Sequence, residues 1–170
     1  MSRRFVTGAA AAAALLLVSC ARVGPVSRPT PDGSARVYSV AGLELEVPSS
    51  WRAEGDPRKV KFASPGGEAL LEAKATAVAG PSDRCLEGAE EALVRGASSL
   101  TGVRRHATTF AGRKAVAQEA DQGGWHGWAW ATCDRGEQYR VFLSCRSPVS
   151  RETIDVQRRL LATARLGGSP

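Results

Sequence analysis

The residues best suited to chemistry cluster in the last third of the chain. Gly123-Gly124-Trp125-His126-Gly127-Trp128-Ala129-Trp130 holds three of the four tryptophans and one of the two histidines. Indole rings at this density could stack a glycan or another flat ligand, and Trp125 and His126 are the candidate ligand-stacking pair. Four cysteines are present, Cys20, Cys85, Cys133 and Cys145. A cysteine nucleophile needs a base within hydrogen-bond reach, and only His106 and His126 are available. Zinc needs three or four ligands at short spacings, which the sequence does not offer. The G-x-S-x-G, H-E-x-x-H, P-loop and dinucleotide motifs are missing, so no catalytic residue, metal ligand or cofactor is assigned. The expectation is a protein that binds and does not catalyse.

Cys20 belongs to a different chemistry. Met1-Ser2-Arg3-Arg4 is a short positive segment, and Phe5 to Val18 is apolar except for Thr7 and Gly8. A run this short fits a signal-peptide core and is marginal for a bilayer-spanning helix of ~20 residues. It ends in Leu17-Val18-Ser19-Cys20, which resembles the lipobox of bacterial lipoproteins. The resemblance implies cleavage before Cys20 and a diacylglycerol thioether on its sulfur, usually with a third, amide-linked chain. Two or three acyl chains anchor stably where one does not, since each buried methylene contributes only ~0.8 kcal/mol. The arginine pair is also similar to a twin-arginine export signal, but Phe5 follows Arg4 directly, which favours the general secretory route. Ala21 lacks the aspartate that often retains lipoproteins in the inner membrane. The expected location is therefore the cell envelope: the outer membrane, facing the periplasm, in a Gram-negative cell, and otherwise the outer face of the cell membrane.

With 170 residues, 43% of them hydrophobic and 24% charged, the chain has the composition of one globular domain. A disordered tail, a collagenous chain and a polytopic membrane protein are excluded. The net charge is +6, and loss of residues 1–19 with Arg3 and Arg4 leaves +4. That charge is too small and scattered to indicate a nucleic-acid partner.

The elements that must position these residues follow from periodicity. Ala21 to Ala35 carries Pro25, Pro29, Pro31 and Gly33 without apolar periodicity and reads as a tether. Val37-Tyr38-Ser39-Val40 and Leu43-Glu44-Leu45-Glu46-Val47 then alternate as half-buried strands, separated by Ala41-Gly42. Lys59 to Phe62 and Ala69 to Val78 are two more. Pro81-Ser82-Asp83 reads as a helix start with Ser82 or Asp83 as N-cap, and Leu86, Ala89, Leu93, Ala97 and Leu100 form its apolar stripe. Val103 to Phe110 and Lys114 to Ala120 are strands around Ala111-Gly112. Ser150 is a good N-cap for a last helix, whose stripe contains Ile154, Val156, Leu160, Leu161 and Ala164 and which Gly167-Gly168 ends.

The clearest hairpin runs from Trp125 to Thr132 and from Gln138 to Cys145 around Asp134-Arg135-Gly136-Glu137. Pairing Cys133 with Gln138 collects Trp128, Trp130, Tyr139, Val141, Leu143 and Cys145 on one face, which reads as core. Trp125 points the other way. In this register Cys133 and Cys145 lie roughly seven residues of strand apart, at ~3.3 Å each, too far for a disulfide. Cys85 starts a helix that must cover some apolar face, so a bridge between Cys85 and Cys145 is the expected pairing. Cys85 with Cys133, or no bridge, are the alternatives. Cys133 is then the leftover thiol, a small residue near a turn.

The order of strands, helix, four strands and helix indicates α+β, an antiparallel β-sheet flanked by two amphipathic helices. It resembles the PsbP-like superfamily, which includes photosystem extrinsic subunits and many bacterial lipoproteins. Leu43-Glu44-Leu45-Glu46-Val47-Pro48 followed by Trp51, then Phe62-Ala63-Ser64-Pro65, then Ala111-Gly112-Arg113-Lys114-Ala115 carry the likeness over roughly residues 36–166. The resemblance implies an α/β/α sandwich whose members mostly bind other proteins and share no catalytic set.

The expected organisation is a signal peptide at 1–19, lipidated Cys20 and tether at 20–35, a single α+β domain at 36–166 and a tail at 167–170. The expected function is that of a membrane-anchored accessory lipoprotein with an envelope protein as partner. The competing function is a binder of a small molecule or cell-wall glycan through Trp125–Trp130. A concave aromatic patch there would favour the ligand, and a flat or buried one the partner protein.

Overall fold

A computed structural model describes residues 24–167. The signal peptide, the lipobox with Cys20, and residues 168–170 lie outside the described residues. Four two-residue turns organise the chain into hairpins. Ala41-Gly42, Ala111-Gly112, Gly123-Gly124 and Arg135-Gly136 all have positive φ at both positions, the geometry whose twist matches that of the flanking strands. At Arg135-Gly136, φ is 49° and 78°, and glycine makes the second value free of strain.

The strands are β1 (Ser27–Pro29), β2 (Ala35–Val40), β3 (Leu43–Pro48), β4 (Arg52–Asp56), β5 (Lys59–Ala63), β6 (Ala69–Ala77), β7 (Thr101–Phe110), β8 (Arg113–Gln122), β9 (Trp125–Asp134), β10 (Glu137–Arg146) and β11 (Arg165–Leu166). Helix α1 (Ser82–Gly96) connects β6 to β7, and α2 (Arg151–Thr163) connects β10 to β11. They form two antiparallel sheets, a small one in the order β1-β2-β3-β11 and a large one in the order β4-β5-β6-β10-β9-β8-β7. The class is α+β, as expected, but with two sheets where the sequence reading had one. The second sheet assembles because both the β2–β3 hairpin and the inner face of the large sheet present apolar rows that need covering.

The β9–β10 register pairs Cys133 with Gln138, as the hairpin pattern implied. Its inner face, with Trp128, Trp130, Tyr139, Val141, Leu143 and Cys145, packs in one core with Tyr38, Val40, Leu43, Leu45 and Val47 of the small sheet. Val156 and Leu160 of α2 enter the same core. Each large aliphatic side chain so buried contributes ~1.5–3 kcal/mol. Tyr139 completes the joint by donating its hydroxyl to the Ala41 carbonyl oxygen at 2.9 Å.

Several boundaries differ from the sequence reading. Part of the expected tether is folded: Ser27–Pro29 pairs with Arg36–Tyr38. Helix α2 stops at Thr163, because Arg165–Leu166 pair with Leu43–Glu44 before Gly167 is reached. Ser150 does cap it, accepting a hydrogen bond from the Thr153 amide at 3.2 Å. Ser82 and Asp83 do not cap α1; Pro81 holds the cap position and no side chain bonds there.

Candidate functional site

Strand alternation sends Trp125, Gly127, Ala129, Ala131 and Cys133 of β9 away from the core, beside Arg140, Phe142, Ser144 and Arg146 of β10 and Leu70, Glu72 and Lys74 of β6. Helix α1 covers this outer face only in part. It packs chiefly on β9 and β8, and within it only Cys85 and Ala89 are buried. A disulfide joins Cys85 to Cys133 with a Cα–Cα distance of 6.2 Å, pinning the first turn of α1 to the end of β9. Gln138 adds a hydrogen bond from its amide to the Cys85 carbonyl oxygen at 3.3 Å.

This corrects the expected pairing of Cys85 with Cys145. Cys133 and Cys145 do point to opposite faces, but the inner face is covered by the small sheet and α2, so α1 takes the outer one. Among the described residues the free thiol is Cys145, only 2% exposed. Burial pushes the thiol's pKa up, only partly offset by a hydrogen bond with Thr153, so the nucleophilic thiolate is disfavoured.

Beyond the reach of α1 the outer face opens into a groove of about 400 Å³, lined among others by Leu70, Leu100, Ala120, Trp125, Phe142 and Ser144. Leu70 and Phe142 stand in it 43% and 48% exposed. Gly127 shapes the floor: a Cβ there would come within 3.1 Å of Phe142 Cε2 and Cζ, so the missing side chain lets the ring lie down on the sheet. The value of glycine at this point was not recognised in the sequence, although its place between two tryptophans of one strand was a signal for a close approach.

Trp125 and His126 are successive strand residues whose side chains point to opposite faces, although both residues border the groove. Trp125 lines the groove, with the Arg146 guanidinium 5.6 Å from its ring centroid. The His126 ring sits between two carboxylates, with Nδ1 2.7 Å from Asp121 and Nε2 3.0 Å from Glu119. It also meets Trp128 edge-on at 4.5 Å. His126 is the cross-strand partner of Cys145, yet both ring nitrogens face carboxylates, which leaves neither to activate the thiol. Among the described residues, no group of three or more His, Cys, Asp and Glu side chains could hold a metal ion.

No family model matches the chain, and no curated protein does. Solved structures do. The cyanobacterial PsbP of Synechocystis sp. PCC 6803 superposes with a TM-score of 0.53 over 89% of this chain and 99% of its own, at 14% identity. The fold is similar to that of PsbP. LpqN of Mycobacterium tuberculosis, described as involved in cell envelope biogenesis, gives a TM-score of 0.51 over 85% of this chain and 91% of its own, again at 14% identity. A Bacteroides thetaiotaomicron protein gives 0.52 at 11% identity, over 87% of this chain but 50% of its own. At these identities the likeness concerns the fold alone. The groove is therefore read from its own residues.

Proposed function

We propose that the chain is a lipid-anchored, non-catalytic accessory protein of the cell envelope, which works by holding an apolar ligand in the groove beside Trp125. The leader ending in Leu17-Val18-Ser19-Cys20 supports the anchor, and the likeness to LpqN, described as involved in cell envelope biogenesis, supports the setting. One observation carries the binding role: the half-covered sheet face forms a concave groove that includes Trp125 and Phe142. Concavity favours a ligand over a flat protein interface. The chemistry favours apolar contacts over a glycan, because Arg146 already lies over the Trp125 ring and the floor is Gly127, Ala129 and Ala120.

A partner protein is the second reading, favoured by the neighbouring exposure of Leu70 and Phe142. Replacing Phe142 with a benzophenone amino acid and irradiating intact envelopes separates the two. An adduct of small-molecule mass on the β10 peptide is expected. An adduct of protein mass would replace the ligand reading with the partner reading, and no adduct would overturn both.

A further inference from the structure

The outer face of the large sheet carries three cations abreast. Lys59 on β5 is in register with Lys74 on β6, and Lys74 with Arg140 on β10. Like charges directly opposite one another on a sheet are destabilising, so folding gains nothing from this row. Glu72, two residues along β6 on the same face, is shared by Lys59 and Lys61 at 3.5 and 3.6 Å. Lys74 and Arg140 take part in none of the ion pairs formed among the described residues. The next outward-facing residue of β10 after Arg140 is Phe142, ~7 Å further along the strand. Beyond it Leu70 and Ser144 open into the groove. A positive pair that enters no ion pair and an apolar trough thus adjoin on one surface, with the Phe142 ring and its cross-strand neighbour Glu72, already paired with Lys59 and Lys61, between them.

We propose that this surface binds an anionic amphiphile with a single apolar chain, its carboxylate or phosphate head on Lys74 and Arg140 and its chain over Phe142 into the groove towards Trp125. Arg140 suits either headgroup, since its planar fork of donors matches both oxyanions. A volume of about 400 Å³ is at the small end of ligand sites, which run from about 300 to 1,000 Å³, and fits one chain better than two. The assignment rests on the groove being the binding site, as proposed above.

Three 16-carbon diazirine probes, delivered from the aqueous side on separate phosphatidylcholine vesicles, test it on the full chain held in nanodiscs of zwitterionic phosphatidylcholine: a fatty acid, the matching alkyl phosphate, and the methyl ester of the acid. After irradiation, peptide mapping should place the acid or the phosphate, or both, on the segments containing Phe142 and Trp125. The one that labels more strongly names the headgroup, and the ester should label several-fold less. A Lys74→Gln, Arg140→Gln double variant should lower groove labelling by the anionic probe at least about tenfold, since both charge-assisted contacts to the headgroup are lost. Both positions lie on the solvent side of the sheet, and retention of the Cys85–Cys133 bridge in the variant checks its fold. Equal labelling by ester and acid, or labelling unchanged in the double variant, would overturn recognition of the anion while leaving the groove as a binding site. Labelling confined to peptides outside the groove would overturn both.

Discussion

Cys85 and Cys133 bear a disproportionate share of the fastening of α1, because the helix has only one other buried residue, Ala89. Closing a loop with a separation of 48 residues stabilises by at most about 4 kcal/mol in the chain-entropy model. Cys133→Ser should lower the unfolding free energy by about 2–4 kcal/mol, measured by urea titration. In the native wild-type chain, peptide mapping under non-reducing conditions should recover residues 85 and 133 joined. Cys145 should react with alkylating agents only after denaturation. Reaction of Cys145 in the native state would contradict its place in the core. The register that sorts these side chains was legible in the sequence, since period-two alternation around Arg135-Gly136 allows one pairing that gathers the aromatics. The partner of Cys85 was not legible, because it depends on which face of the sheet a separate element occupies. The groove was half legible: Trp125 pointed away from the core, but Leu70, Leu100 and Phe142 reach it from elements distant in sequence.

At the level of elements, strands with a clear alternating pattern could be read, down to the five-residue β5, and those without one could not. Leu43 to Val47 and Trp125 to Cys145 announce themselves by alternation, whereas β1, β4 and β11 have two to five residues and exposed or mixed burial. These short strands are held by their neighbours and not by their own patterns. Glu44 on β3 illustrates this. It receives Arg28 of β1 at 2.7 Å and Arg165 of β11 at 2.6 Å, so one carboxylate ties down both margins of the small sheet. The hydrogen bonds from these two arginines hold the Glu44 carboxyl down at about 2, against an ordinary 4.5. A depressed carboxylate contributes stability that is complete above its ordinary value and is lost as the pH falls through the depressed one. Glu44→Gln should therefore cost about 1 kcal/mol near neutral pH at low salt, after allowance for solvent screening. That difference should fade between about pH 4.5 and pH 2. Urea unfolding of both proteins at the two ends of this range checks it, and a gap that persists at the acid end would assign the effect to packing.

On the scale of the whole molecule, the fold rests on two sheets sharing one core, and the sequence reading missed the second because a strand's pattern shows that a face is buried but not against what. The anchor is the whole-molecule property that the leader predicts. Cys20→Ala should abolish incorporation of labelled fatty acid and leave an unprocessed or freely exported chain, read by metabolic labelling and fractionation; normal incorporation would sink the lipoprotein reading. The folding of β1 then has a consequence for reach. Gly24 and Pro25 line a cleft with Ala53 to Pro57. Arg58, next in the chain, pairs with Glu137 at the start of β10. From Cys20 to Gly24 an extended chain spans at most ~15 Å, so a lipid at Cys20 would moor that end of the domain close to the bilayer. Phe142 and Ser144 lie ~20 Å further along β10, on the face turned away from the small sheet. A mooring this short would give the domain little room to bring its groove round to a membrane that held Cys20. Cargo would arrive from the aqueous side, or from a second surface across the gap, and lengthening the chain between Cys20 and Gly24 would widen the range of surfaces the groove can touch.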